Sequence, residues 1–148
     1  MKRLYPDQPI VGIGVVIVHE GKIILVKRGN EPSKGKWTIP GGLVELGENI
    51  EHTVIREAKE ETCLDVEKPC LIGVVDSVDL DESGKVKYHY VIIDYLVHVK
   101  GGTLGAASDA AELRWVPFDE VEDYDLTMSF RLFFRQNRKK LEKANSYH

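Results

Sequence analysis

The stretch 41-GGLVELGENIEHTVIREAKEETCL-64 decides the fold of this 148-residue chain, because it joins two glycines to an acidic helical segment. Asn49 is a favourable N-cap, and Glu51 lies near the positive end of the helix dipole. Together with the apolar periodicity, these residues predict a helix over residues 50–63. The acidic residues crowd towards its last turn, where a block of like charge is unexpected.

Three glutamates of this helix, Glu57, Glu60 and Glu61, fall within an arc roughly 100° wide, beside the apolar stripe. Carboxylates about 5.5 Å apart repel by roughly 3 kcal/mol at an effective dielectric of 20, and the end of a helix disfavours anions. A divalent cation would remove both penalties, and hard oxygen ligands suit Mg²⁺ or Mn²⁺. A solvated helix face, with Arg56 paired to Glu60, also accounts for the charges. The residues alone leave both interpretations open.

Composition places the chain among ordinary globular proteins: 43% of residues are hydrophobic, 30% are charged and the net charge is -4. We expect a single domain over residues 1–148, and the net charge gives no reason to expect nucleic acid or an anionic membrane as a partner. We expect no signal peptide and no membrane span. Cys63 and Cys70 match no disulfide or zinc pattern, which favours a cytoplasmic protein with reduced thiols.

The rest of the chain is rich in β-strand patterns. Apolar runs at residues 10–18 and 22–28 predict a hairpin, and residues 40–42 are expected to be irregular. Further strands are predicted at 70–79, 86–99 and 112–116, and a closing helix at 127–144. Strands outnumber helices without alternating with them, so the fold class expected is α+β with a mixed sheet.

From Gly42 onward the stretch has the order G-x5-E-x7-R-E-U-x-E-E-x-x-U, where U is a bulky apolar residue or alanine. This order resembles the signature of the Nudix hydrolases, and 37-WTIPGG-42 and 112-ELRWVPFDE-120 are similar to segments that flank it in the family. One position departs, because Cys63 stands where the family has glycine. If Cys63 takes the left-handed conformation that closes a helix, it bears a strain of order 1 kcal/mol.

The resemblance implies an α/β/α sandwich and hydrolysis of a nucleoside diphosphate linked to another moiety, with Mg²⁺ or Mn²⁺ as cofactor. Glu57, Glu60 and Glu61 would be metal ligands, and the Gly41 carbonyl a further ligand. Other residues implicated in catalysis are Arg56, which would orient the cluster, and its partner Glu48. The partner expected is a small-molecule nucleotide, and family precedent suggests a homodimer.

The general base is open at this point, since the family uses either a glutamate of the signature or a carboxylate from a distant loop. The candidates are Glu60, Asp109 and Glu112, and plain solvation in a loop explains the last two equally well. Basic residues before the signature, Arg28 and Lys36 among them, are candidates for binding phosphate, although exposed hairpin residues are often basic.

The substrate ranked first is ADP-ribose or a similar nucleotide sugar, because 37-WTIPGGLVELGE-48 and the chain length look most like the ADP-ribose and nucleotide pyrophosphatase branch. Residues 76–83 lack a proline that many ADP-ribose pyrophosphatases carry there, which weakens that assignment. A nucleoside triphosphate pyrophosphohydrolase is the alternative enzyme. A catalytically inactive module that senses nucleotides is the alternative outside enzymes, although it predicts loss of signature glutamates and none is lost.

Overall fold

The computed structural model describes residues 2–105 and 110–145 and has eight strands and two α-helices within them. The strands are β1 (Ile10–Val16), β2 (Val18–His19), β3 (Lys22–Arg28), β4 (Trp37–Thr38), β5 (Gly41–Leu43), β6 (Leu64–Leu80), β7 (Val86–Gly102) and β8 (Ala110–Pro117). The helices are α1 (Ile50–Thr62) and α2 (Met128–Asn145), and Phe118–Asp123 forms a 3-10 helix. No helix within the described ranges combines the length and hydrophobicity of a bilayer-spanning segment.

Two four-stranded sheets form the middle of the molecule. The first has the order β5-β1-β7-β6 and is mixed, because β1 runs parallel to β7 while the other neighbours are antiparallel. The second is antiparallel and centred on β3, which pairs with β2, β4 and β8. The predicted α+β class with a mixed sheet is confirmed.

The core has two parts, because side chains alternate between the two faces of a strand. Ile13, Val15 and Ile17 belong to the cluster that contains Val54 and Ala58 of α1. Val16 and Val18 belong instead to the cluster that contains Phe130, Phe133, Phe134 and Leu141 of α2. The two helices therefore cover opposite faces of the strands, which is the α/β/α arrangement that the sequence predicted.

Two local predictions were wrong. The run at residues 10–18 is not one arm of a single hairpin: β1 joins the other sheet, and only residues 17–19 bond to β3. Residues 40–42 are not all irregular, since Gly41 and Gly42 pair with Gly14 and Ile13 as part of β5. A short glycine strand lacks the β-branched residues by which strands are recognised in sequence, and tertiary pairing decides its conformation.

The predicted helix begins as expected and ends one residue earlier. The Asn49 side chain accepts a hydrogen bond of 2.8 Å from the His52 amide and caps α1. At the other end Cys63 has φ 65° and ψ 10°, and its amide donates to the Lys59 carbonyl at 3.0 Å. Cys63 thus takes the left-handed conformation usual for glycine, so the chain tolerates the strain and α1 keeps a regular end.

Candidate active site

Arg56 of α1 is the centre of the acidic cluster. Its Nε and Nη2 donate to the two carboxylate oxygens of Glu48 at 2.7 and 2.9 Å, which makes a bidentate ion pair. Its Nη1 donates to Glu57 at 2.8 Å and to Glu60 at 3.2 Å, and Nη2 also reaches the Leu43 carbonyl at 3.3 Å. The guanidinium therefore joins the loop before α1 to two of the clustered carboxylates, and Arg56 contacts Glu48, the partner that the family resemblance implies.

Glu48 is fixed from several sides, with only 7% of its side chain exposed. Besides Arg56, it accepts hydrogen bonds from the Thr53 hydroxyl at 2.7 Å and from the Glu45 amide at 3.2 Å. These bonds, that from Arg56 first, lower the pKa of Glu48 to about 2. A carboxylate that stays ionised and fully engaged positions Arg56 and is poorly suited to exchange protons.

Glu57 lies against the backbone of β5. A Cβ added to Gly42 would lie 2.2 Å from the Glu57 carboxyl carbon, so the absent side chain at Gly42 leaves the space that this carboxylate fills. Only 13% of the Glu57 side chain is exposed, and burial raises its pKa although Arg56 opposes the change. A desolvated carboxylate that packs against the backbone of β5 is of the type that binds a hard cation.

Glu60 and Glu61 face different neighbours. Glu60 is more than half exposed and contacts Arg56, whereas Glu61 accepts a hydrogen bond of 3.0 Å from the Gly41 amide. Within residues 2–105 and 110–145, no three acidic, histidine or cysteine side chains converge closely enough to hold a metal ion. The donor types nonetheless fit a divalent cation, provided that these side chains rotate towards one another.

A cavity of about 680 Å³ opens beside the cluster, and Glu57 and Glu61 lie on its wall. It extends between the first sheet and the start of α2, where Phe130 and Phe133 form apolar surface. This volume lies in the usual range for small-molecule sites. The carboxylates are thus at the border of a space large enough for a nucleotide derivative.

The two basic residues predicted to bind phosphate have different positions. Arg28 lines the cavity and donates from Nε to the Pro32 carbonyl at 2.6 Å; burial first, and then the nearby Arg3, lowers its pKa. Lys36 is not among the residues that line the cavity, and it contacts the exposed Asp125 at 3.4 Å. The structure therefore brings Arg28, and not Lys36, to the candidate site.

The candidates for general base are also separated. Glu112 lies on β8, opposite Lys27 of β3, and contacts Arg114 at 2.8 Å and Lys27 at 3.8 Å. Neither Glu112 nor Glu60 is among the residues that line the cavity, but Glu60 is on α1, three residues after Glu57, which does line it. Asp109 lies outside the described residues.

Sequence reasoning missed Asp94 of β7, a buried acidic residue of the cavity wall that is 3% exposed. Its signal was present, because a lone aspartate interrupts the apolar run 91-VIIDYL-96. Gly14 lies beside it in the parallel pairing of β1 with β7, and a Cβ on Gly14 would lie 2.1 Å from Asp94 Oδ1. The absent side chain of Gly14 therefore leaves the space that the Asp94 carboxyl occupies.

Comparisons with known proteins agree with this geometry. The family model of the NUDIX domain matches residues 8–136. The ADP-ribose pyrophosphatase of Methanocaldococcus jannaschii is 44% identical over 119 residues, which are 80% of this chain and 68% of that protein. A MutT NUDIX hydrolase from Burkholderia pseudomallei is 34% identical and superposes with a TM-score of 0.76 over 88% of this chain and 98% of that one.

A NUDIX domain of Shewanella oneidensis NrtR, solved with ADP ribose, is 22% identical and has a TM-score of 0.74 over 92% of this chain and 90% of that one, which shows a shared fold. The family match covers most of the chain, and the residues of its signature form the Arg56 cluster beside the cavity. Hydrolases of this kind require a divalent metal ion, and the carboxylates of α1 are of the type that binds one. The chain belongs to the Nudix hydrolase family.

Proposed function

We propose that this hydrolase cleaves the pyrophosphate bond of ADP-ribose or of a closely similar nucleoside diphosphate sugar. The observation that carries the proposal is the position of two signature carboxylates, Glu57 held by Arg56 and Glu61, on the wall of a cavity large enough for a nucleotide derivative. The relative that is 44% identical is named an ADP-ribose pyrophosphatase, which supports the choice of substrate. The missing proline in residues 76–83 does not outweigh a relative of that identity.

In this proposal Glu57, Glu60 and Glu61, with the Gly41 carbonyl, hold Mg²⁺ or Mn²⁺. A divalent ion bound there neutralises phosphate oxygens and lowers the pKa of a bound water. Arg56 orients Glu57 and Glu60, and Glu48 holds Arg56 in place. Arg28, which lines the same cavity, contributes a positive charge to the binding of the diphosphate.

We propose Glu60 as the general base. It is more than half exposed and has one hydrogen bond of 3.2 Å, so water reaches its carboxylate, whereas Glu112 is engaged by two cations. Replacing each by glutamine compares them: Glu60→Gln should lower kcat by 10² or more and remove the acidic limb of the pH–rate profile. Glu112→Gln should leave kcat and the pH–rate profile unchanged. The opposite pattern would identify Glu112 as the general base.

The main experiment is incubation with a panel of nucleoside diphosphate derivatives and nucleoside triphosphates, with Mg²⁺ or Mn²⁺, followed by chromatography of the products. ADP-ribose should give AMP and ribose 5-phosphate, and chelation with EDTA should stop the reaction. Glu61→Gln should lower the rate by at least 10², whereas Glu51→Gln, an exposed residue of the same helix, should stay within twofold. Preferential release of pyrophosphate from triphosphates would select the alternative enzyme.

We also propose that the protein is a cytoplasmic homodimer with one domain. Exposed Leu71, Val74, Val78 and Leu80 on β6 support the dimer, because this strand borders the first sheet and such residues are more often covered by protein. Sedimentation velocity should give about twice the chain mass of 16.7 kDa, and Val74→Lys should halve it. A parent protein that sediments as a monomer at micromolar concentration would contradict the dimer.

A further inference from the structure

Asp94 is the least explained side chain of the cavity. It is 3% exposed, lines the cavity and lies on a strand whose neighbouring cavity residue is the apolar Ile92. Across the described residues, its carboxyl has no hydrogen-bond or ion-pair partner, and burial is the sole cause that raises its pKa to about 7. Burying a carboxyl without a protein partner is costly, and a molecule that enters the cavity can supply the missing hydrogen bonds.

The position of Asp94 indicates which part of a ligand it would meet. Gly41, Gly14 and Asp94 are register partners across β5, β1 and β7, so Asp94 lies two strand spacings, about 9–10 Å, from Gly41. If a diphosphate binds at the carboxylates near Gly41, the nucleoside of the same ligand would lie near Asp94. The space over Gly14, which lies between them, is filled by the Asp94 carboxyl and the Ile39 side chain, so the carboxyl lies over β1, on the side towards Gly41.

The surroundings of Asp94 suit a flat ring better than a sugar. The Ile39 side chain lies beside it, since both approach the same point over Gly14, and Phe130 and Phe133 line the same cavity. A ribose has several hydroxyls that need polar partners, whereas a nucleobase offers apolar faces and a few hydrogen-bonding atoms at its edge. One buried carboxyl in apolar surroundings matches the second pattern.

We propose that Asp94 is a specificity-determining residue that hydrogen-bonds the amino edge of adenine in the cavity, an inference that rests on the proposed function. In its neutral form, which predominates below its pKa of about 7, the carboxyl offers one donor and one acceptor, which complement the ring nitrogen and the 6-amino group of adenine. An asparagine amide offers the same pair and recognises adenine in this way in other proteins. Asp94→Asn should therefore preserve recognition of adenine, whereas Asp94→Leu should remove it.

The test is isothermal titration calorimetry with AMP and with purine riboside 5′-monophosphate, which lacks only the 6-amino group. The parent and Asp94→Asn should bind AMP about tenfold to a hundredfold more tightly than the analogue, because the missing amino group leaves a buried carboxyl or amide unpaired. Asp94→Leu should bind both nucleotides equally. Asp76→Asn, which removes an exposed acid from the same cavity wall, should keep the preference of the parent.

Two results would overturn the inference: a parent that binds the two nucleotides equally or binds neither, or an Asp94→Leu variant that keeps the preference for AMP. The experiment needs no turnover, so its outcome is separate from that of the proposed function. A preference for AMP that depends on Asp94, in a protein that hydrolyses no pyrophosphate, would refute the reaction and leave the assignment of Asp94 intact. Thermal unfolding of each variant checks that the fold is retained.

Discussion

Replacing Gly42 with alanine should separate activity from stability. The added Cβ would lie 2.2 to 2.5 Å from the carboxyl carbon and both oxygens of Glu57, whereas ordinary contacts of this type begin near 3.4 Å. The Glu57 carboxylate must therefore move by about 1 Å or more, which would disturb its 2.8 Å bond to Arg56. Misplacement of a catalytic group by about 1 Å costs on the order of 10²-fold in rate.

The fold should tolerate this change, because the clash is with the end of a flexible side chain and the Gly42 backbone is accessible to alanine. We expect kcat for release of AMP from ADP-ribose to fall about 10²-fold, and the free energy of unfolding in urea to fall by no more than about 1–3 kcal/mol. Gly101→Ala is the matched control, since its Cβ would meet nothing closer than 3.7 Å. A Gly42→Ala enzyme within twofold of the parent would refute the assigned position of Glu57.

Three further predictions concern other residues. Arg56→Lys should lower kcat by at least tenfold in the same assay with little change in the free energy of unfolding. The reason is that an ammonium group cannot make the bidentate bond to Glu48 and also reach Glu57. Full activity of this variant would contradict the positioning role of Arg56. Cys63→Gly should raise the free energy of unfolding in urea by about 0.5–1 kcal/mol, since relief of left-handed strain exceeds the added entropy of the unfolded chain; a loss of stability would contradict it. Because the pKa of Asp94 is raised, the folded state keeps this proton to a higher pH than the unfolded state does. The free energy of unfolding should therefore fall by up to about 4 kcal/mol as the pH rises from about 3.8 to 7. Urea titrations of Asp94→Asn should not show this fall.

The sequence was most informative where local chemistry and spacing act together. Asn49 and the apolar stripe of α1 predicted the helix within one residue, and the order of Glu48, Arg56 and Glu57 predicted contacts that the structure contains. These residues lie on one helix and its preceding loop, so their relative positions follow from local geometry. The metal-binding roles of the carboxylates stay predictions.

Features that depend on contacts between distant segments were harder to predict. Whether Lys36 faces the cavity or Asp125 depends on a residue 89 positions away, and no local pattern encodes that. The pairing of Gly41 with Gly14 likewise arises from the sheet and not from strand propensity. Asp94 was visible as a polar residue in an apolar strand, but its access to the cavity depends on Gly14, eighty positions earlier in the chain.

The row formed by Gly41, Gly14 and Asp94 has an evolutionary consequence. The carboxylates proposed for hydrolysis are supplied by α1, whereas the group proposed for base selection is supplied by β7, and the two glycines between them leave no room for a methyl group. Substitutions at Asp94 can therefore change the preferred nucleotide without altering α1. Divergence to new substrates would then proceed through β7 and the cavity wall, while the cleavage machinery is inherited unchanged.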